Sequence, residues 1–111
     1  MWPAMIQLVY IIVSMFYFYI LRSLKNNKLY LGYTTDLRKR VESHNSEENK
    51  ATKPHAPYEL IFYCAFKNEK DALECEKYFK TTAGWKRIHK MLENTLGTAI
   101  SGPLDNFQKI L

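Results

Sequence analysis

The 111-residue chain has no Ser-His-Asp order, no glycine-rich phosphate loop and no Cys/His pair at zinc spacing. Those absences remove serine hydrolysis, P-loop nucleotide chemistry and a structural zinc site from consideration. Cysteine is scarce: Cys64 and Cys75 are the only two, in apolar surroundings and at no redox or metal-ligand spacing. Free thiols in a reducing compartment, the cytoplasm, are therefore expected in place of a disulfide framework. Internal repeats, low-complexity tracts and linkers are also absent. What is left is the length of one domain, large enough to bury a core without staples.

Charge is missing altogether from the first 21 residues, "MWPAMIQLVYIIVSMFYFYIL". That length suffices for a membrane-spanning helix, with Arg22, Lys25 and Lys28 then on the cytoplasmic side. The segment lacks the positive start and small-residue cleavage site of a secretory signal. Its second part, however, is aromatic and β-branched over 16–23 and competes as a buried strand. About fourteen apolar residues then precede the strand, too few for a span. Residues 1–14 are on this basis expected to be a dispensable extension, with Met15 as the alternative start.

The net charge is +5, and the acidic residues gather in 42–48 and 69–76, leaving other stretches strongly basic. A polyanionic partner suits this balance.

"FYFYILRS", the Asn-Asn pair of "KNNK" and "LYLGY" read as a β-hairpin over about 16–33, the asparagines tolerating the positive φ of a tight turn. Thr34 or Thr35 is placed to cap the next helix, with Asp36 in its first turn, where the helix dipole favours a carboxylate. In that helix Leu37 and Val41 supply core contacts, while Arg40 and His44 form an adjacent stripe. It should stop near Asn45. Residues 45–57 form a loop bearing Lys50, Lys53 and His55, and "YELIFYCAF" (58–66) reads as a central strand covered on both sides. A second helix follows over about 69–80. A third, basic helix runs over about 84–94, with Trp85, Ile88 and either Met91 or Leu92 inward, and a loosely attached tail begins at Gly97. The expected fold is α/β: one domain over 15–96, with a small, mostly antiparallel sheet of about three strands flanked by helices.

Three features bear on chemistry. Glu76 falls within the buried arc set by Ala72, Cys75 and Phe79, and an unpaired carboxylate there costs several kcal/mol. It is either a rim or ion-paired residue, or a metal ligand at the bottom of a cleft. Tyr17 and Tyr19 share a strand face, with Tyr30 within cross-strand reach, as packing or as a site. Gly32 at a strand end marks a bulge or a close approach of backbone or ligand. His44, His55 and His89 each read, taken alone, as ordinary surface histidines.

Tyr17-Phe18-Tyr19, ten residues, then Tyr30-Leu31-Gly32 resembles the paired tripeptides of the GIY-YIG nuclease superfamily. The resemblance continues through "TTDLRKRVESHN", "ATKPHAPYELIFY" and "DALECEKYFK", covering about residues 16–95. It is greatest to small stand-alone bacterial members related to the nuclease domain of the excinuclease C subunit. It implies a phosphodiester endonuclease acting on nucleic acid, DNA ahead of RNA, in repair or processing. One divalent ion, Mg²⁺ or Mn²⁺, would be held by Glu76, with no small-molecule cofactor. By the same resemblance Tyr19 and Tyr30 are the motif tyrosines, one of which helps to activate or orient the attacking water, Arg40 stabilises phosphoryl charge and His44 assists proton transfer or touches phosphate. Gly32 would let the scissile backbone approach, and Tyr33 stands where some relatives carry a lysine. Gly32, Tyr33, Lys39, Lys50, Lys53, Lys86 and Arg87 are the expected nucleic-acid contacts. Two departures accompany the match: Tyr17 replaces the motif glycine, and "TTAGWKRIHK" offers no asparagine where several relatives have one. Two other readings stand beside a nuclease, a non-catalytic nucleic-acid-binding module of the same fold and a membrane-associated protein anchored by residues 1–21.

Overall fold

In the computed structural model, residues 3–6, 15–46 and 53–97 are described. The expected tail beyond Gly97, Lys50 and most of the 1–14 extension lie outside them.

Strand β1 (Phe16–Ser23) carries the most β-favouring run of the chain, and it takes the middle of a three-stranded antiparallel sheet between β2 (Leu29–Thr34) and β3 (Tyr58–Phe66). Phe18, Tyr19, Ile20 and Leu21 are buried in succession, so this strand is covered on both faces. Residues 16–21, which an anchor over 1–21 would require, are thus sheet. No helix among the described residues is long and apolar enough to cross a membrane.

The hairpin turn forms as its asparagines suggest. Asn27 adopts φ 62°, and its amide donates to the Ser23 carbonyl at 2.9 Å. The buried Ser23 hydroxyl accepts from the amides of Lys25 and Asn26 and donates to the His55 carbonyl, fastening the turn to the loop before β3.

Helix α1 (Leu37–Asn45) is capped by Asp36, whose carboxylate accepts from the Lys39 amide at 3.1 Å. The expected threonine cap is displaced because Thr34 is still in β2, paired with Tyr17; its hydroxyl instead accepts from the Asp36 amide. α1 covers one sheet face, where Leu37, Val41 and Ala56 pack on Tyr19, Leu21, Tyr30 and Tyr58.

The other face is covered by α2 (Glu69–Phe79), α3 (Thr82–Met91) and the short α4 (Glu93–Leu96). Phe79, Trp85, Ile88 and Leu96 close there over Phe18, Ile20, Leu29 and Leu31. The third helix starts two residues earlier than expected, because Thr81 caps it through the Gly84 amide, and Leu92, not Met91, packs inward.

β3 corrects the reading of 58–66 as a central strand. It is an edge strand, with Leu60 36% and Tyr63 52% exposed. A continuous apolar run does not separate a two-sided strand from an edge strand whose outer face carries tyrosine, since the phenol hydroxyl tolerates water. A register shift opposite Ile20 and Leu21 further bends this edge.

Gly84 sets the α2–α3 crossing. A Cβ there would lie 2.1 Å from the Tyr78 carbonyl oxygen and 2.4 Å from the Phe79 Cα, both backbone atoms that move only with their helix. Gly84→Ala is expected to destabilise the fold by about 1–3 kcal/mol. The check is the urea midpoint, which should fall with little change in slope; an unchanged midpoint would show that the crossing has slack.

Candidate active site

Antiparallel pairing sets Tyr19 opposite Gly32 and Leu21 opposite Tyr30, so the period of two brings Tyr19, Tyr30 and Gly32 to the face beneath α1. The Tyr19 and Tyr30 rings stack nearly parallel, with centroids 6.4 Å apart. His44 descends from the last turn of α1 into this cluster. Its ring centroid is 4.2 Å from that of Tyr30 and 6.2 Å from that of Tyr58.

His44 is fully buried, which corrects its reading as a surface histidine. The Tyr19 hydroxyl lies 2.8 Å from His44 Nε2. Burial, and then the Arg40 guanidinium, lower the His44 pKa to about 4, so the imidazole is neutral near pH 7. Tyr19 is pushed well above the ordinary phenol value, first by burial and then by Tyr30. Both shifts keep the two groups neutral, a state that admits the arrangement in which the Tyr19 O–H donates to Nε2 and the imidazole proton sits on Nδ1.

Gly32 gives this phenol its room. A Cβ on Gly32 would stand 2.3 Å from the Tyr19 hydroxyl oxygen and 2.4 Å from the adjoining ring carbon. The close approach marked by the glycine is thus filled by a side chain of the protein itself.

Asn45 fixes the helix that delivers His44. Its side-chain amide donates to the Tyr58 carbonyl at 3.0 Å and its oxygen accepts from the Tyr58 amide at 2.6 Å, so it pairs with β3 as a strand residue would. This residue was not singled out from sequence, where it reads only as a helix end.

Arg40 and Glu76 supply opposing fields. Arg40, exposed one turn before His44, favours the ionised form of both Tyr19 and Tyr30, whereas the Glu76 carboxylate disfavours it. For Tyr30 as for Tyr19, burial outweighs Arg40 and the pKa is raised. Glu76 comes from α2, the helix on the opposite sheet face, and its side chain is 22% exposed. It is a rim residue paired with Lys80, not with an arginine.

Tyr33 falls outside the cluster. By alternation it faces α2, where it donates to Glu69 at 2.6 Å and stacks on Phe16, and burial together with that bond pushes it up to about 12. The basic residues are also dispersed: Lys39 is on α1, Lys53 in the 3₁₀ turn Lys53–His55, and Lys86 and Arg87 on α3. α1 and α3 cover opposite faces of the sheet. A cleft of about 500 Å³ beside the first turn of α1 is lined by residues including Tyr17, Leu60 and Arg38, and by Leu37 and Val41, which pack on the tyrosine–histidine cluster. Cys64 and Cys75 are free, both pushed up by burial, Cys75 to about 11.

No group of three or more His, Cys, Asp or Glu residues capable of holding a metal occurs among the described residues. Glu76 offers a single carboxylate, a donor set that suits a hard ion such as Mg²⁺, which keeps several waters and takes substrate phosphate oxygens.

A family model described as the GIY-YIG catalytic domain matches residues 15–88. A UPF0213 protein of Pediococcus pentosaceus is 39% identical over 84 residues, covering 75% of this chain and 87% of that protein. UPF0213 protein YsiG of Lactococcus lactis is 38% identical, covering 76% and 81% respectively. UPF0213 protein YazA of Bacillus subtilis is 45% identical over 65 residues, covering 58% and 65%. No solved structure matches the chain significantly.

The buried histidine makes stability depend on pH in a defined direction. Between about pH 6.5 and 4 the unfolded chain protonates His44 while the folded one does not, so this contribution is complete above 6.5 and is lost as pH falls toward 4. Relative to His44→Gln, the native chain should lose about 1.4 kcal/mol more per pH unit across that window. Denaturant unfolding at a series of pH values checks this; parallel curves for the two proteins would contradict it. Separately, Gly32→Ala should cost about 1–3 kcal/mol by forcing Tyr19 aside, and should shift the His44 titration upward in NMR as the ring loses its burial.

Proposed function

We propose that this chain, which belongs to the GIY-YIG family, is an endonuclease that hydrolyses phosphodiester bonds, acting on DNA ahead of RNA in a repair or processing role. The observation that carries the proposal is the 2.8 Å hydrogen bond between Tyr19 and a neutral, buried His44, beside an arginine that makes no ion pair with a described residue.

Phosphodiester hydrolysis needs a proton taken from water and charge stabilised on phosphate oxygens. Tyr19 is a poor base alone, since its proton is held tightly. Nε2 supplies the remedy: as Tyr19 takes a proton from the attacking water, it hands its own to His44 along the existing hydrogen bond. The resulting imidazolium is disfavoured by burial and by Arg40, so as the 3′ oxygen leaves it takes the proton now on Tyr19, and His44 returns its proton to Tyr19. Arg40, exposed and cationic, is suited to the phosphate, where its planar donors match two oxygens at once. Tyr30, stacked on Tyr19 and edge-on to His44, keeps both rings in register and leaves its hydroxyl to orient water. Glu76 would hold one Mg²⁺ or Mn²⁺, which when bound supplies Lewis-acid stabilisation of charge on the phosphate. Lys39, on the same helix as Arg40, is assigned a phosphate contact, which gives affinity without sequence preference, whereas Lys86 and Arg87 stand on the helix that covers the opposite sheet face.

The test is incubation of the full chain, Glu76→Ala and Arg40→Ala with labelled single-stranded, duplex and branched DNA and RNA, in Mg²⁺, Mn²⁺ or EDTA. Cleavage is expected from the native chain, lost in EDTA and in Glu76→Ala, and reduced roughly a hundredfold or more in Arg40→Ala. Salt-dependent binding without cutting, equal in the native chain and Glu76→Ala, would overturn the proposal in favour of a non-catalytic binding module.

A further inference from the structure

Glu76 has a partner for which the proposed reaction gives no role. Lys80, one turn further along and at the C-cap of α2, sets its Nζ 3.2 Å from Glu76 Oε2. The two side chains differ in their access to water, Glu76 being 22% exposed and Lys80 36%. The carboxylate disfavours ionisation of both Tyr19 and Tyr30, and its ion pair within the described protein is with this lysine.

We propose that Lys80 is the resident counterion of Glu76, holding the carboxylate while no metal ion is bound and yielding it to a divalent cation, so that ammonium and metal compete for one carboxylate. This rests on Glu76 as the metal ligand. The competition follows from charge and distance. The ammonium engages Oε2 and leaves Oε1 open, so the competition acts through charge: a divalent cation brought to this carboxylate stands within a few Å of the ammonium and is repelled by it. Lys80 can leave at little cost, because its flexible stem lets a partly exposed head swing into water. Glu76 cannot follow it, since its position is set by the buried arc of α2 that includes Ala72 and Phe79. The pair therefore keeps a half-buried carboxylate compensated and lowers its affinity for a metal.

The contrary role for Lys80 predicts the opposite sign. If the lysine served to orient the carboxylate for the metal, its removal would weaken metal binding.

Tb³⁺ provides a readout independent of cleavage, because nearby tyrosines sensitise its luminescence and Mg²⁺ or Mn²⁺ can be titrated against it. The experiment uses the full chain, Lys80→Met, Lys80→Arg, Glu76→Gln and the double variant Glu76→Gln/Lys80→Met, each checked for native unfolding behaviour. Lys80→Met keeps the apolar stem and should bind the ion roughly fivefold more tightly, the scale of a part-exposed ion pair. Lys80→Arg should bind as the native chain does, and Glu76→Gln should remove the site in both backgrounds. Equal or weaker binding by Lys80→Met, or an equal gain in Lys80→Arg, with Glu76→Gln still removing the site, would overturn the exchange and leave Glu76 as ligand. Undiminished binding in Glu76→Gln would overturn the metal assignment and the exchange together.

Discussion

The hydrogen bond between Tyr19 and His44 is the contact on which the rest of this site depends. It joins the central strand to α1 at a point where both residues are buried. Such a bond between neutral groups contributes only about 1 kcal/mol net, but breaking it strands a donor and an acceptor away from water, which costs more. Several unrelated features can be understood as conditions for making it. Gly32 leaves out a side chain where the phenol lies, Asn45 ties the end of α1 to the backbone of β3, and Asp36 closes the first turn of the same helix.

Chemistry is divided between the two faces of the sheet. Beneath α1, three tyrosines and a histidine form a polar-edged aromatic layer, whereas the face beneath α2, α3 and α4 is an ordinary apolar core. Glu76 is the exception, since it belongs to a helix of the apolar side yet acts on Tyr19 and Tyr30. A small domain thereby sets a cation, a carboxylate and a neutral proton acceptor around two phenols using one short sheet. Desolvation disfavours the charged forms of both the phenols and the imidazole, so the imidazole is neutral near pH 7.

Local pattern carried much of this in the sequence. The hairpin followed from β-forming residues around an asparagine pair, and strand alternation then brought Tyr19 and Tyr30 together. The α1 stripe placed Arg40 and His44 on one side. What pattern could not resolve was depth. His44 is polar and isolated in sequence, and only the approach of α1 to the sheet buries it. β3 is apolar along its length, yet its place at the edge is decided by β1, which has the greater claim to the centre. Gly32 signalled a close approach without saying that the occupant is Tyr19. Asn45 and Lys80 gave no signal, because a helix-end asparagine and a lysine four residues from a glutamate are commonplace on solvated helices.

The central claim is that Tyr19 donates to a neutral His44. The most direct measurement is ¹⁵N NMR of the histidine side chains in the full chain at neutral pH, with His44 assigned by the loss of its signals in His44→Gln. The account predicts a neutral ring protonated at Nδ1, with Nε2 shifted as a hydrogen-bond acceptor and the shift relieved in Tyr19→Phe. An imidazolium, or a ring protonated at Nε2, would contradict it.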